Sequence, residues 1–309
     1  MKKILFAALA LAAMVSCSKE YTIDNNKQVI AFGDVFVNNG TRADYSSNNK
    51  DVTAFKVYGT VDGNENSTPV YIFDGDEVKN TNADGSTTVG YGDIWFCNNV
   101  QYWIPNASYA FTAVVDGELT NNHTEIGFTV ADGNANKDLL YATATASVDN
   151  GGAVTGLTNN LVAFSFKHLL SKVMFTVNST IGTGYSIKVT GITVTGVAAN
   201  GTYNVANEKW EKNGTTTTQL TFGNQDAYET RQILPVEQKL DVTIAYDIYY
   251  DSTKISSATK SGTIPTQTYE KNTVYNIKAT ITANSEIKFT VDSVDGWKTD
   301  IVDKDITLQ

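Results

Sequence analysis

Asp-Gly pairs cut this chain into short apolar runs, and no run of helical length shows the 3.6-residue period of a helix. Asp62-Gly63, Asp74-Gly75, Asp116-Gly117 and Asp132-Gly133 each close a run rich in Val, Ile, Tyr and Phe. Such pairs adopt φ > 0 at little cost, so they read as tight turns between strands. Many short strands with regular turns mean a β-sandwich or barrel. A chain of 309 residues is long enough for two of them. The charged fraction, 18%, is low, and Thr, Asn, Gly, Ser and Tyr take up the difference. Those residues suit strands and turns better than helices. The formal net charge of −10 falls to −12 without Lys2 and Lys3, and no Lys/Arg cluster interrupts it. A nucleic-acid partner is therefore excluded, because phosphate contacts need clustered cations.

The N-terminus has a different logic. Lys2 and Lys3 precede an apolar stretch, residues 4–13, too short to span a bilayer as a folded anchor. Met14-Val15-Ser16-Cys17 follows and resembles the lipobox of bacterial lipoprotein signal peptides, with Met14 where Leu is usual. That resemblance implies a signal peptide over residues 1–16 and lipid on Cys17. Cys97 is then left without a partner for a disulfide within the chain. It sits in Asp93-Ile94-Trp95-Phe96-Cys97, where a small buried hydrophobe is expected.

After a polar tether comes the first strand, residues 29–37, apolar on both alternation phases as expected of a strand buried on both faces. A polar loop containing Thr41-Arg42-Ala43 follows it, and strand candidates then recur to the C-terminus. Polar stretches at residues 149–152 and 158–160 mark a boundary between two halves. In the second half Phe164 and Phe166 share one parity and Val173, Phe175 and Val177 the other. The phase slip places a bulge or short turn at Leu169-Leu170-Ser171.

Reactive chemistry is sparse. His168 shares the parity of Phe164 and Phe166 and reads as a structural histidine, while His123 lies in an Asn-rich loop. Two distant histidines and one spare cysteine make a poor zinc site. The loop 132–138 opens like a calcium loop, but Lys137 stands where Gly is needed and Thr143 where Glu is needed, so a polar hairpin is expected. Asp74, Asp76 and Glu77 read as a solvated turn. No nucleophile or phosphate-binding motif is present, so neither an enzyme nor a cofactor is expected beyond the lipid on Cys17.

Several blocks, taken together and in order, resemble the fimbrillin-like proteins, the subunits of type V pili in Bacteroidota. They are Gln101-Tyr102-Trp103-Ile104-Pro105 with Tyr109-Ala110-Phe111, then Phe164-Ser165-Phe166-Lys167-His168-Leu169-Leu170-Ser171-Lys172-Val173, Ile233-Leu234-Pro235, Val274-Tyr275-Asn276-Ile277 and Val294-Asp295-Gly296-Trp297. The resemblance implies an all-β fold of two tandem transthyretin-like Greek-key β-sandwich domains, export as a lipoprotein to the outer membrane, and display in a surface pilus. It also implies that a trypsin-like protease cuts between Arg42 and Ala43, that the first strand leaves, and that the C-terminal strands of another subunit fill the groove. The organisation expected is a signal peptide (1–16), a lipidated segment with the first strand (17–42), an N-terminal sandwich (43–160), a C-terminal sandwich (161–285) and a donor tail (286–309).

The physics of such an exchange is coherent. Removing a strand exposes unpaired backbone and an apolar slot, and a partner strand repairs both. In the tail Ile287, Phe289 and Val291 alternate with polar residues, and Val294 and Trp297 follow, so these five are the candidate donor anchors. The competing reading makes residues 286–309 the last strands of the chain's own second domain. Without a cut at Arg42, a terminal anchor or tip subunit, or a lipid-anchored adhesin for a host protein or glycan, is expected instead.

The lipobox carries its own test. Cys17→Ala should abolish incorporation of labelled fatty acid and remove the protein from the outer-membrane fraction; labelling equal to the wild type would refute lipidation at Cys17.

Overall fold

The structure is a computed structural model, and it describes residues 28–37, 52–63, 69–80, 95–132, 137–224, 227–282 and 287–295. Among the described residues the regular secondary structure is 22 β-strands with no α-helix, so the all-β class expected from the sequence is the one that forms.

One eight-stranded sheet wraps the first core. It comprises β1 (Phe32–Val37), β2 (Ala54–Gly63), β3 (Val70–Asn80), β4 (Trp95–Cys97), β5 (Ala107–Val115), β8 (Leu140–Val148), β9 (Val154–Thr155) and β10 (Val162–His168). Their order is β10-β1-β4-β3-β2-β5-β8-β9, and β10 also pairs with β8 at Lys167↔Tyr141 and His168↔Leu140. The sheet therefore closes on itself. Strand alternation fills the interior: Tyr109, Phe111 and Ala113 of β5 and Val162, Phe164 and Phe166 of β10 are buried, with Ser108, Ala110 and Ser165 outside.

The remaining strands enclose a second core. One sheet holds β18 (Arg231–Ile233), β11 (Ser171–Thr180), β21 (Thr273–Thr282) and β22 (Ile287–Asp295). A second holds β15 (Thr217–Thr221), β12 (Tyr185–Ala198), β19 (Glu237–Tyr250) and β20 (Thr253–Thr268). A third combines β14 (Lys209–Lys212) and β13 (Asn200–Asn204) with β7 (Glu125–Thr129) and β6 (Leu119–Thr120), and a small ribbon pairs β16 (Gly223–Asn224) with β17 (Ala227–Tyr228).

The third sheet shows how the halves interlock. After β5 the chain leaves the first core, and Leu119, Ile126, Phe128, Val130 and Leu139 are buried in the second. β7 pairs with β13 from Glu125↔Asn204 to Thr129↔Asn200. In exchange β10, numbered in the second half, lies in the first core. The boundary expected between residues 160 and 161 therefore does not separate the two cores. The chain passes from one to the other at Leu169-Leu170, where β10 ends and β11 begins, and this is the phase slip seen in the sequence. Both leucines are fully buried in the second core. Backbone bonds from Leu169 N to Leu139 O (2.9 Å) and from Asn272 N to Leu170 O (3.0 Å) pin the crossing.

Two local readings change. β1 was expected to bury both faces. Instead its register with β10 shifts between Gly33 and Val35, so Asp34 is an extra residue and the buried parity switches from Ile30 and Phe32 to Val35. Apolar residues on both phases here record a bulge, not burial on both faces. Asp74-Gly75 was expected to end a strand. β3 instead runs through it, with Gly75 (φ 80°) bulged between Asp74↔Tyr58 and Asp76↔Val57. Asp116 (φ 57°) does turn the chain where β5 ends.

Leu170→Ala should lower unfolding stability by about 2–5 kcal/mol, since the crossing is sealed on both sides and the cavity has little room to collapse. Urea denaturation of the full chain measures this, and a loss below about 1 kcal/mol would show that the crossing is not a packing constraint.

Candidate functional site

The site expected to matter is the seat of the first strand. β1 is the stave between β10 and β4. It runs parallel to β10 from Phe32↔Val162 to Val37↔Phe166 and antiparallel to β4 at Phe32↔Trp95. The residues before it continue the ladder, with Ile30 N donating to Gln101 O (2.8 Å), Trp103 N to Gln28 O (3.0 Å) and Val162 N to Ala31 O (2.9 Å). Both edges of this stretch are thus paired, as an interior strand requires.

Phe32 is the hub of the seat. It is 1% exposed, and its ring lies 5.3 Å from Phe73, 6.0 Å from Phe164, 6.2 Å from Phe111 and 6.3 Å from Phe55. Three of these contacts are edge-on, the favoured aromatic geometry. Phe55 in turn meets Trp95, Phe164 and Phe166. Leu161 packs over the α-carbon of Gly33, so a side chain at position 33 would have to push the Leu161 side chain aside. Lifting β1 out would uncover an aromatic slot and two free ladder edges at once.

The candidate donor anchors have another place in the single chain. Ile287, Phe289 and Val291 lie on β22, which pairs with β21 from Ile281↔Ile287 to Thr273↔Asp295. Phe289 and Val291 are buried in the second core, Ile287 packs against it, and the Phe289 ring fills the space beside Gly262 of β20. These three are core residues of the chain's own second unit, because β22 turns its apolar side inward and completes the edge of β21. On the outward side Lys278 Nζ lies 2.7 Å from the buried Asp292 carboxylate. Val294 pairs through its backbone with Val274. The side chain of Val294, Trp297, the lipidation residue Cys17 and the processing pair Arg42-Ala43 lie outside the described residues.

The remaining candidates have structural roles. His168 Nδ1 lies 2.7 Å from Asp138 Oδ2 with its ring buried beside β8, and Trp210 Nε1 donates to Leu169 O (2.8 Å) just beyond it. Asp132 accepts from Thr221 N and Thr221 Oγ1, each at 2.8 Å, so its carboxylate fastens β15, while residues 133–136 lie outside the described ones. Arg231, buried at the start of β18, pairs with Glu229 and lies 4.0 Å from Asp132. Cys97, half-buried on β4, has its thiol pushed up by burial, which disfavours the thiolate. Among the described residues no three His, Cys, Asp or Glu converge as metal ligands.

Sequence reasoning found the residues of the seat but not its shape. The alternation of Phe164, Phe166 and His168 marked β10 as buried, yet nothing local says that it pairs with a strand some 130 positions earlier (162 − 32 = 130).

Comparison with known proteins gives a consistent picture. Solved structures with the same fold include a fimbrial protein from Bacteroides vulgatus (TM-score 0.59, 18% identity, covering 88% of this chain and 100% of that one). A candidate cell adhesion protein from Bacteroides ovatus has a TM-score of 0.58 at 15% identity, covering 89% of this chain and 100% of its own. A second, from Bacteroides uniformis, has a TM-score of 0.53 at 14% identity, covering 89% and 99%. Comparison with curated proteins returns no match. The family model described as fimbrillin-like matches residues 41–297, most of the chain, and the protein therefore belongs to the fimbrillin-like family.

Proposed function

We propose that this chain is a pilus subunit exported as a lipoprotein through Cys17, cut after Arg42 and joined head-to-tail by strand exchange. The observation that carries the reading is the place of β1. Among the described residues, the strand that precedes Arg42 is β1, a central stave of a closed sheet and not a frayed edge. A cut at Arg42 would leave β1 held only by non-covalent contacts.

Magnitudes make the exchange reasonable. Ile30, Phe32 and Val35 contribute about 1.5–3 kcal/mol each by burial, or roughly 5–9 kcal/mol gross. Ladder bonds add about 1 kcal/mol each. An incoming strand must match that sum, with apolar residues at the same pockets. Since β22 is committed to the second core, the donor assigned is the tail beyond it. Fourteen residues follow Asp295 (309 − 295 = 14), with Trp297, Ile301, Ile306 and Leu308 as the large apolar side chains. Extended, they reach roughly 46 Å at about 3.3 Å per residue, more than the length of the seat. A head-to-tail contact of this kind does not close on itself, so it propagates a fibre. Other subunits, the outer membrane through the lipid and a trypsin-like protease are the partners, and the chain needs no catalytic group of its own.

Two variants test this. After treatment with a trypsin-like protease the wild type should form polymers on size-exclusion chromatography, and Arg42→Ala should remain a monomer. A chain lacking residues 296–309 should keep a cooperative melt and fail to polymerise. Polymers from either variant at the wild-type level would refute the assigned cut or the assigned donor. A wild-type chain that is cut after Arg42 yet stays monomeric would instead identify a terminal subunit or a surface adhesin.

A further inference from the structure

β22 is terminal in its sheet, and its outward side carries a carboxylate that solvent does not reach. Phe289 and Val291 turn into the second core, so Thr290 and Asp292 point away from it, as do Asn276 and Lys278 on β21. The register sets Asn276 across from Asp292 and Lys278 across from Thr290. Lys278 and Asp292 are therefore diagonal neighbours on one face, within reach of a long side chain. Asp292 is 0% exposed and Asn276 5%. Thr176 Oγ1 donates to Asn276 Oδ1 (3.1 Å), which fixes the carboxamide beside the acid.

The contact between the two charged groups is unusual. Lys278 Nζ lies 2.7 Å from Asp292 Oδ2 but out of line for a hydrogen bond, and neither carboxylate oxygen has a hydrogen-bond partner among the described residues. A Lys–Asp pair at this distance ordinarily makes a charge-assisted hydrogen bond. A buried ion pair is worth its desolvation only when its remaining polar atoms are satisfied, and here they are not. The arrangement instead holds an amine nitrogen against a carboxyl group from which bulk water is excluded, as a reacting pair requires.

We propose that Lys278 and Asp292 condense into an amide that joins β21 covalently to β22. One proton first passes from the ammonium to the carboxylate, giving a neutral amine beside a neutral acid, and burial penalises both of the charges so removed. The Nζ lone pair then attacks Cγ. The bond from Cγ to the hydroxyl oxygen breaks, and that hydroxyl leaves with one amine proton as water. The other amine proton stays on the new amide nitrogen. No oxidant, metal or second substrate enters the balance, and the product carries no buried charge.

The position of the bond gives it a purpose. Asp292 is three residues before Asp295, where β22 ends and the proposed donor tail begins (295 − 292 = 3). In a head-to-tail fibre, tension on that tail enters the fold at β22, a strand laddered on one side only. The amide passes the load to β21, which is paired on both sides, with β11 and with β22. Forced unfolding is governed by the barrier to the first rupture, so a covalent link there raises it. This mechanical role rests on the proposed donor tail, whereas the bond itself does not.

The test is a tryptic digest of the denatured full chain read by mass spectrometry. The peptides carrying Lys278 and Asp292 should appear as one branched peptide, lighter than their sum by one water, with no cleavage after Lys278. Lys278→Arg keeps the positive charge but cannot form the amide. It should give two separate peptides of full mass and lower the melting temperature by several degrees, as loss of a cross-link does. Separate peptides of full mass from the folded wild type would show an ion pair only and overturn the proposal. So would a water loss that persists in Lys278→Arg, since that would place it elsewhere, as at a cyclised Asp-Gly pair. The digest does not depend on polymerisation. A branched peptide from a chain that never polymerises would count against the donor tail alone, and polymers without the branched peptide would count against the amide alone.

Discussion

The parallel pairing of β1 with β10 is the contact on which the first core depends. It joins residues 32–37 to residues 162–166, and through β4 and β8 it closes the eight-stranded sheet. Parallel strands need a long connection, and here it runs from residue 38 to residue 161. Closing so long a loop is entropically costly, and the cost is offset only when Phe32 reaches Phe55, Phe73, Phe111 and Phe164 together. One strand thus contributes ladder bonds on two sides and the centre of the aromatic cluster. Its burial makes it a large contribution to stability, and the proposed cut after Arg42 is what would separate it from the rest of the chain.

The second core is built differently. Its sheets are long and mostly antiparallel, and it borrows β6 and β7 from the first half of the chain. The loan of β7 in one direction and of β10 in the other means that neither unit is complete in one continuous stretch of sequence. Leu169 and Leu170 occupy the crossing, and both are buried. The exchange proposed for β1 would leave the second core's own contacts in place, with β22 seated against β21 and the Phe289 ring beside Gly262 of β20.

Irregular backbone interrupts two strands of the first sheet, β1 and β3. The bulge at Asp34 sets the spacing of the pockets in the β1 seat, and the bulges at Ile72 and Gly75 set the outward display of Tyr71 and Asp74. Both are departures from strict alternation. Both explain why simple periodicity misread these segments, the first as a strand buried on two faces and the second as a turn.

The sequence by itself determined the β class, the positions of most strands and the family, because alternation and turn chemistry are local properties written in neighbouring residues. It marked Phe164, Phe166, Val173 and Phe175 as buried and located the slip at Leu169-Leu170. It could not say which strands pair. Only the tertiary structure decided that β1 lies beside β10, that β7 serves the second core, that Ile287, Phe289 and Val291 face their own core, and that His123 stacks on Tyr71. Those facts rest on contacts between residues tens to more than a hundred positions apart. Their stability comes from shape and register matched across the whole fold, which no local window of sequence contains.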